Sequence, residues 1–315
     1  GMEELFYHPD SYDCLSFENI WDSGSMGTTC GYFVPIQENL DGFIDNDGNS
    51  IESEAKVFIE KQREKKKGAN EGTYGEIYYD KDSKIVFKPG GKSVPVYKFP
   101  HRKGDKTEGA IVVYEHPYKT EGGEVPHNLY IVCHDPYAQE KSTTNESLGA
   151  AYVIKRVNNL TKPDDIIVAS YVGRPNTQDE YNKNLFMLAE LYNAKIGFEN
   201  DRGELIAYAK RFRKLYKLQE EFEMLDKREL RSKNVRRQYG MHMTEQRKRQ
   251  GELYIRDWLL TPRSASEDGT VKLNLHTIYD PALLLELIKF NHKGNFDRVM
   301  AFMIGMYHTR ELYNR

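Results

Sequence analysis

The chain has 315 residues, 39% hydrophobic and 30% charged, with a formal net charge of -3. That length gives room for one large domain or two modest ones around a real core, and the composition is that of a soluble globular chain. The small net charge excludes polyanion binding by bulk charge, so any nucleic-acid surface must be a local patch. The three cysteines, Cys14, Cys30 and Cys133, lack paired metal-ligand spacing. They argue for a reducing compartment and against a disulfide scaffold or zinc ribbon. No signal peptide or membrane-spanning apolar run is read. Gly1 before Met2 reads as a cloning scar on an excised piece of a longer protein.

The first hundred residues hold few long periodic segments. Asp41-Gly42-Phe43-Ile44-Asp45-Asn46-Asp47-Gly48 reads as turns. Asp45, Asp47 and Asn49 mimic a calcium loop, but Ser50 and Lys56 stand where that loop needs Gly and Glu. A helix is expected over about 50–66, capped by Asn49 with Glu52 completing a capping box. Strand-like runs follow at Glu76-Ile77-Tyr78-Tyr79, Ile85-Val86-Phe87 and Ala110-Ile111-Val112-Val113-Tyr114. Gly90-Gly91-Lys92-Ser93 imitates the tail of a phosphate loop, yet Val86 replaces the earlier glycine. Extended Val94-Pro95-Val96-Tyr97 replaces the following helix, so no ATP loop is read.

From Asn128 the pattern sharpens. Strands are expected over 129–133, 148–157, 165–171 and 195–198, with a helix over 177–193 spaced on Leu185, Leu188 and Leu191. Three strands, a helix and a strand predict a mixed α/β sheet flanked by helices. A basic helical tract is expected from about 203 to 219, continuing towards 237. It carries Lys210, Arg211, Arg213, Lys214, Lys217, Arg236 and Arg237, interleaved with Tyr208, Phe212, Tyr216 and Tyr239. It reads either as a solvated helix with its aromatics inward or as a surface tracking a phosphate backbone, the basic excess favouring the second.

Three acids occupy places from which they can converge. Asp135 and Glu199 each follow an apolar strand, and Asp297 opens the last helical segment. Ligands in open α/β sheets collect beyond the carboxyl ends of strands. Converging carboxylates repel, and hard divalent cations bound through oxygen supply the counter-charge. Taken singly, each acid also reads as a turn or cap residue. His134, Glu140, Asn200 and Asp201 are outer candidates, Asp280 before Pro281 reads as a helix cap, and His242 and His292 are isolated.

Tyr130-Ile131-Val132-Cys133-His134-Asp135-Pro136-Tyr137 resembles the first nuclease motif of the large terminase subunit of tailed phages. Ile196-Gly197-Phe198-Glu199-Asn200 resembles the second motif, and Asn295-Phe296-Asp297-Arg298-Val299-Met300-Ala301 the third. The third motif commonly carries two adjacent acids; here Phe296 takes the place of the first. The resemblance covers about 126 to the C-terminus. It implies a ribonuclease-H-like nuclease domain over 121–315, preceded over 1–120 by an extension (the tail of an ATPase region or a linker). It also implies a metal-dependent endonuclease cutting concatemeric viral double-stranded DNA in the host cytoplasm. Asp135, Glu199 and Asp297 would hold two Mg²⁺ or Mn²⁺ ions, and the terminase ATPase domain, small terminase subunit and portal would be partners. Two other readings stand beside it: a different ribonuclease-H-like resolvase or transposase, and a non-cleaving docking module of the packaging motor.

Overall fold

The computed structural model describes residues 72–101, 104–137, 147–200, 203–221, 239–265, 271–290 and 294–313. The expected helix over 50–66, the turns near Asp45, Cys14, Cys30, Glu140, Asp201, Arg236, Arg237 and His292 lie outside them. The chain divides into two compact units. One takes in 97–100 and 249–299, the other 72–96, 101–248 and the segment from Met300 on.

The second unit is built on a seven-stranded sheet. In chain order its strands are β1 (Thr73–Tyr79), β2 (Ile85–Pro89), β3 (Ile111–Val113), β4 (Tyr130–Asp135), β5 (Gly149–Lys155), β6 (Ile166–Gly173) and β7 (Lys195–Phe198). Their order across the sheet is β2-β1-β3-β6-β5-β4-β7. Strands β4, β5 and β6 form an antiparallel meander, and β7 then pairs parallel to β4 with Cys133 opposite Gly197. Beyond β7, Leu218 bridges Ile196 in parallel. A meander whose first strand is flanked by a parallel fourth is the ribonuclease-H-like arrangement that the motif resemblance implies. Strands β1 to β3 extend this sheet on its other side by antiparallel pairing, so the sheet draws strands from both sides of residue 120.

The run Tyr130-Ile131-Val132-Cys133 is apolar at every position because both faces of β4 are covered. Helix α1 (Gln178–Leu191) starts at Thr177, whose hydroxyl accepts the Glu180 N–H. The helix buries Tyr181, Leu185, Leu188 and Ala189 against a face formed by Tyr130, Val132, Ile196 and Phe198. The opposite face carries Ile131, Cys133, Asp135, Gly197 and Glu199, since side chains alternate along a strand. On that face lies helix α5 (Asp297–Tyr313) from Met300 onward. Gly305 passes so close that a Cβ would meet Ile154 Cδ1 at 2.5 Å and Cys133 Sγ at 2.9 Å. His308 occupies the space over Gly197, where a Cβ would stand 1.8 Å from its Nε2. Gly197→Ala is therefore expected to cost about 1–3 kcal/mol by overpacking. Urea denaturation measures it, and in a His308→Ala background the added cost of Gly197→Ala should largely vanish.

The expected long basic helix is much shorter. Helix α2 (Glu204–Arg211) stops at Phe212, and Arg213 takes the left-handed conformation at φ +56°. Lys214 N–H then bonds Ala209 O at 2.7 Å and Arg213 N–H bonds Lys210 O at 3.2 Å, the paired bonds of a Schellman termination. A non-glycine residue there costs about 1–2 kcal/mol. A short 3-10 turn, Leu215–Lys217, leads into Leu218.

The first unit holds the greater part of α3 (Glu245–Leu260), a hairpin of β8 (Pro262–Ala265) and β9 (Val271–Leu273), and α4 (Pro281–Lys289). Asp280 caps α4 as expected, accepting the Ala282 N–H at 2.9 Å. Phe296 is a core residue, its ring 5.3 Å from that of Phe290 and 5.6 Å from that of Phe99.

Candidate metal centre at the strand ends

Asp135 is the last residue of β4, and Glu199 follows the last residue of β7. These strands are neighbours and parallel, so both acids stand at the carboxyl-end edge of the sheet. The Glu199 N–H donates to His134 O at 3.2 Å, which continues the ladder one step beyond β7. Strand alternation then directs both side chains to the face on which α5 lies. Asp135 is 9% exposed and Glu199 half-buried. Two carboxylates on adjacent strand ends offer hard oxygen donors, which suit Mg²⁺ or Mn²⁺ rather than the softer sites of zinc and copper. Among the described residues no cluster of three or more His, Cys, Asp or Glu side chains stands ready to hold a metal ion.

Asp297 lies in the other unit, at the first position of α5, where Asn295 Nδ2 donates to it at 3.4 Å. The amides of that first turn are held by Glu286 from α4. Its Oε2 accepts the Arg298 N–H at 2.9 Å and the Val299 N–H at 3.3 Å. Arg298 Nη1 reaches the other oxygen, Oε1, at 2.7 Å, and Arg298 Nε lies 3.6 Å from Asp280 Oδ2. All three charged residues are buried. Burial lifts the Glu286 carboxyl to about 7 against the pull of Arg298.

His134 is no ligand candidate on this geometry. Its ring stacks on Tyr181 across the α1 face, with centroids 5.4 Å apart, and Nδ1 lies 3.0 Å from Ala150 O, which it reaches as a donor. Burial pushes it down to about 4, so it stays neutral near pH 7. Burial likewise pushes the Cys133 thiol up, leaving it an unreactive packing group. Asn200 braces the edge, donating from Nδ2 to Tyr239 O at 2.7 Å, and the exposed His242 offers its carbonyl to Arg247.

Buried His308 is also pushed down, to about 3. Both histidines bind protons in the unfolded chain near pH 6.5 but in the fold only near 3 to 4. The unfolded state therefore gains protons first as pH falls, and stability is lost from about pH 6.5 downward. At pH 5 the expected loss is about 2 kcal/mol per histidine, measurable as a fall in urea midpoint between pH 7 and pH 5. The raised Glu286 carboxyl works in the opposite direction over that range, so the parent is compared with His308→Phe: an identical pH response in the two would rule out a buried neutral His308.

Sequence reading missed Arg174 as a neighbour of this edge. Gly173 ends β6 opposite Gly149, and the Arg174 guanidinium then sits 5.0 Å over the Tyr137 ring while donating to Ser147 O at 2.8 Å. An isolated arginine after a strand carries no motif, so only the antiparallel pairing brings it to the edge where β4 ends.

Of the predicted DNA-contacting residues, the five that are described lie on α2 and in the turn after it. Lys210, Arg211 and Arg213 are exposed; Lys214 and Lys217 are half-buried. Arg211 pairs with Asp179 at 2.5 Å, and Lys214 with Glu190 at 2.6 Å and the Tyr79 hydroxyl at 3.0 Å. Lys210 and Arg211 end α2, and the turn that carries Arg213, Lys214 and Lys217 precedes Leu218, which aligns with Ile196 near the start of β7, at the end of the sheet away from Asp135 and Glu199.

No helix among the described residues is long and apolar enough to cross a membrane. No protein-family model and no curated protein matches the chain. Among solved structures, the chain is similar to the large terminase nuclease from thermophilic phage G20c with bound zinc, at 14% identity and a TM-score of 0.37, over 67% of this chain and 90% of that one. At that level the likeness carries no weight of its own, and the ribonuclease-H-like assignment stands on the strand order within this chain.

Proposed function

We propose that the chain is a metal-dependent nuclease of the ribonuclease-H-like kind, hydrolysing phosphodiester bonds of double-stranded DNA. The observation that carries this reading is the placement of Asp135 and Glu199 side by side at the carboxyl ends of adjacent parallel strands. Both would hold Mg²⁺ or Mn²⁺ through carboxylate oxygens, and Asp297 enters as a third ligand on its motif alone. Cations held there by Asp135 and Glu199 would supply the activation of water and the charge stabilisation of the leaving 3′ oxygen. The chain's own part is to hold two anionic ligands on a rigid sheet edge, with His134 neutral behind them and the Arg174 cation two strands away to receive phosphate. The three motifs favour a terminase role: cutting concatemeric viral DNA in the host cytoplasm, alongside an ATPase domain, a small subunit and a portal.

The test is incubation of supercoiled plasmid with the protein and Mn²⁺, with a chelator control. Conversion to nicked or linear forms, lost on chelation, is the expected result. Folded protein that neither cuts nor gains thermal stability with Mn²⁺ would sink the reading and favour a non-cleaving docking module.

A further inference from the structure

The turn after α2 holds the two most exposed aromatic rings among the described residues, Tyr216 at 65% and Phe212 at 48%. Neither exposure is forced by the core, which the same segment already serves through Leu205, Tyr208, Ala209 and Leu218. Between Glu204 and Glu220 the sequence has no acid and five cations. The Arg211 guanidinium lies 4.8 Å over the Phe212 ring, and Lys217 Nζ lies 5.9 Å from the Tyr216 centroid. Arg213 holds the strained left-handed position that a glycine would fill at no steric cost. Lys214 has a different task. It ties the turn to Glu190 on α1 and Tyr79 on β1, which fixes the frame that presents the rings.

This surface is separate from the strand-end carboxylates. It stands by the start of β7, whose four residues span about 13 Å before Glu199 is reached. Duplex DNA has its base faces already stacked and offers an exposed ring nothing but its backbone. Unpaired bases offer both faces, and cations beside a ring are the groups that take the adjoining phosphates.

We propose that this turn is a binding site for single-stranded nucleic acid, with bases stacked on Phe212 and Tyr216 and phosphates taken by Lys210, Arg213 and Lys217. An acidic protein face is the competing occupant, and it would use the cations without needing the ring faces.

The experiment is fluorescence anisotropy of a short labelled oligothymidylate and of a duplex of equal length, both in chelator. Binding is thereby read without cleavage, and failure here leaves the nuclease proposal untouched. The single strand is expected to bind more tightly than the duplex. Phe212→Ala and Tyr216→Ala should each weaken single-strand binding roughly tenfold with the duplex unaffected, while Tyr216→Phe retains it. Lys210→Ala and Arg213→Ala should each lower the salt slope by about one. Lys214→Met should lower thermal stability first. Equal affinity for both nucleic acids, or ring variants that stay folded and bind as the parent does, would overturn the proposal in favour of a protein contact.

Discussion

Asp135→Asn is expected to abolish metal-dependent plasmid cutting, by about three orders of magnitude, the scale seen when a charge-stabilising group leaves a hydrolytic site. The substitution keeps the shape and one acceptor oxygen at the end of β4 and removes only the charge. The strand itself has little reason to change, because its register is set by six paired positions with β5 and by β7 on the other side. The variant should therefore show the parental circular dichroism. It should also lose most of the thermal stabilisation that Mn²⁺ gives the parent, since a ligand that binds only the folded state raises stability in proportion to its affinity. Glu199→Gln should behave alike, because its backbone is fixed by the bond to His134 O and its carboxylate shares the edge. Cutting that survives both substitutions would place the chemistry elsewhere. Asp297→Asn separates two versions of the site: loss comparable to Asp135→Asn makes it a ligand, and near-parental cutting leaves the pair on β4 and β7 sufficient.

The parts of this fold that could be read from sequence are those governed by local rules. Tyr130-Ile131-Val132-Cys133 and the runs that became β5, β6 and β7 are largely apolar stretches bounded by turn residues, as strands covered on both faces tend to be. Helix α1 announced itself through its leucine spacing, and α4 through Asp280-Pro281. Asp135 and Glu199 were legible because strand ends fall where apolar runs stop. The failure at α2 was equally physical. Helices are expected to end at glycine or asparagine, and Arg213 gives no warning that it will turn left-handed. Phe296 shows a further limit: its place in a motif suggested a missing acid, while its packing between Phe99 and Phe290 is a property of the folded unit. Arg174, likewise, becomes a site neighbour only through the pairing of β5 with β6.

The buried Asp280–Arg298–Glu286 set is the least local feature of all, and Arg298→Met should be the most damaging substitution in its unit. Arg298 is the largest fully buried side chain among the described residues. Methionine can fill much of that volume, so the loss is chiefly electrostatic. Two buried carboxylates would remain with their common cation gone, a situation that costs about 3–5 kcal/mol. Glu286 would still accept the first-turn amides of α5, but its carboxyl, already lifted to about 7 by burial, would rise further without the guanidinium. The sign of the pH dependence follows. A carboxyl whose folded pKa exceeds its unfolded value of about 4.5 favours the fold while protonated and loses that contribution as pH rises towards the folded pKa. The deficit of Arg298→Met relative to the parent should thus widen between pH 5 and pH 8 in urea denaturation. Glu286→Gln in the same background should remove most of that pH dependence, because a neutral amide oxygen can still accept the first-turn backbone N–H groups of α5 without carrying a buried charge. A deficit that stays flat with pH, or a double variant no better than Arg298→Met, would mean that packing rather than charge compensation holds the first turn of α5.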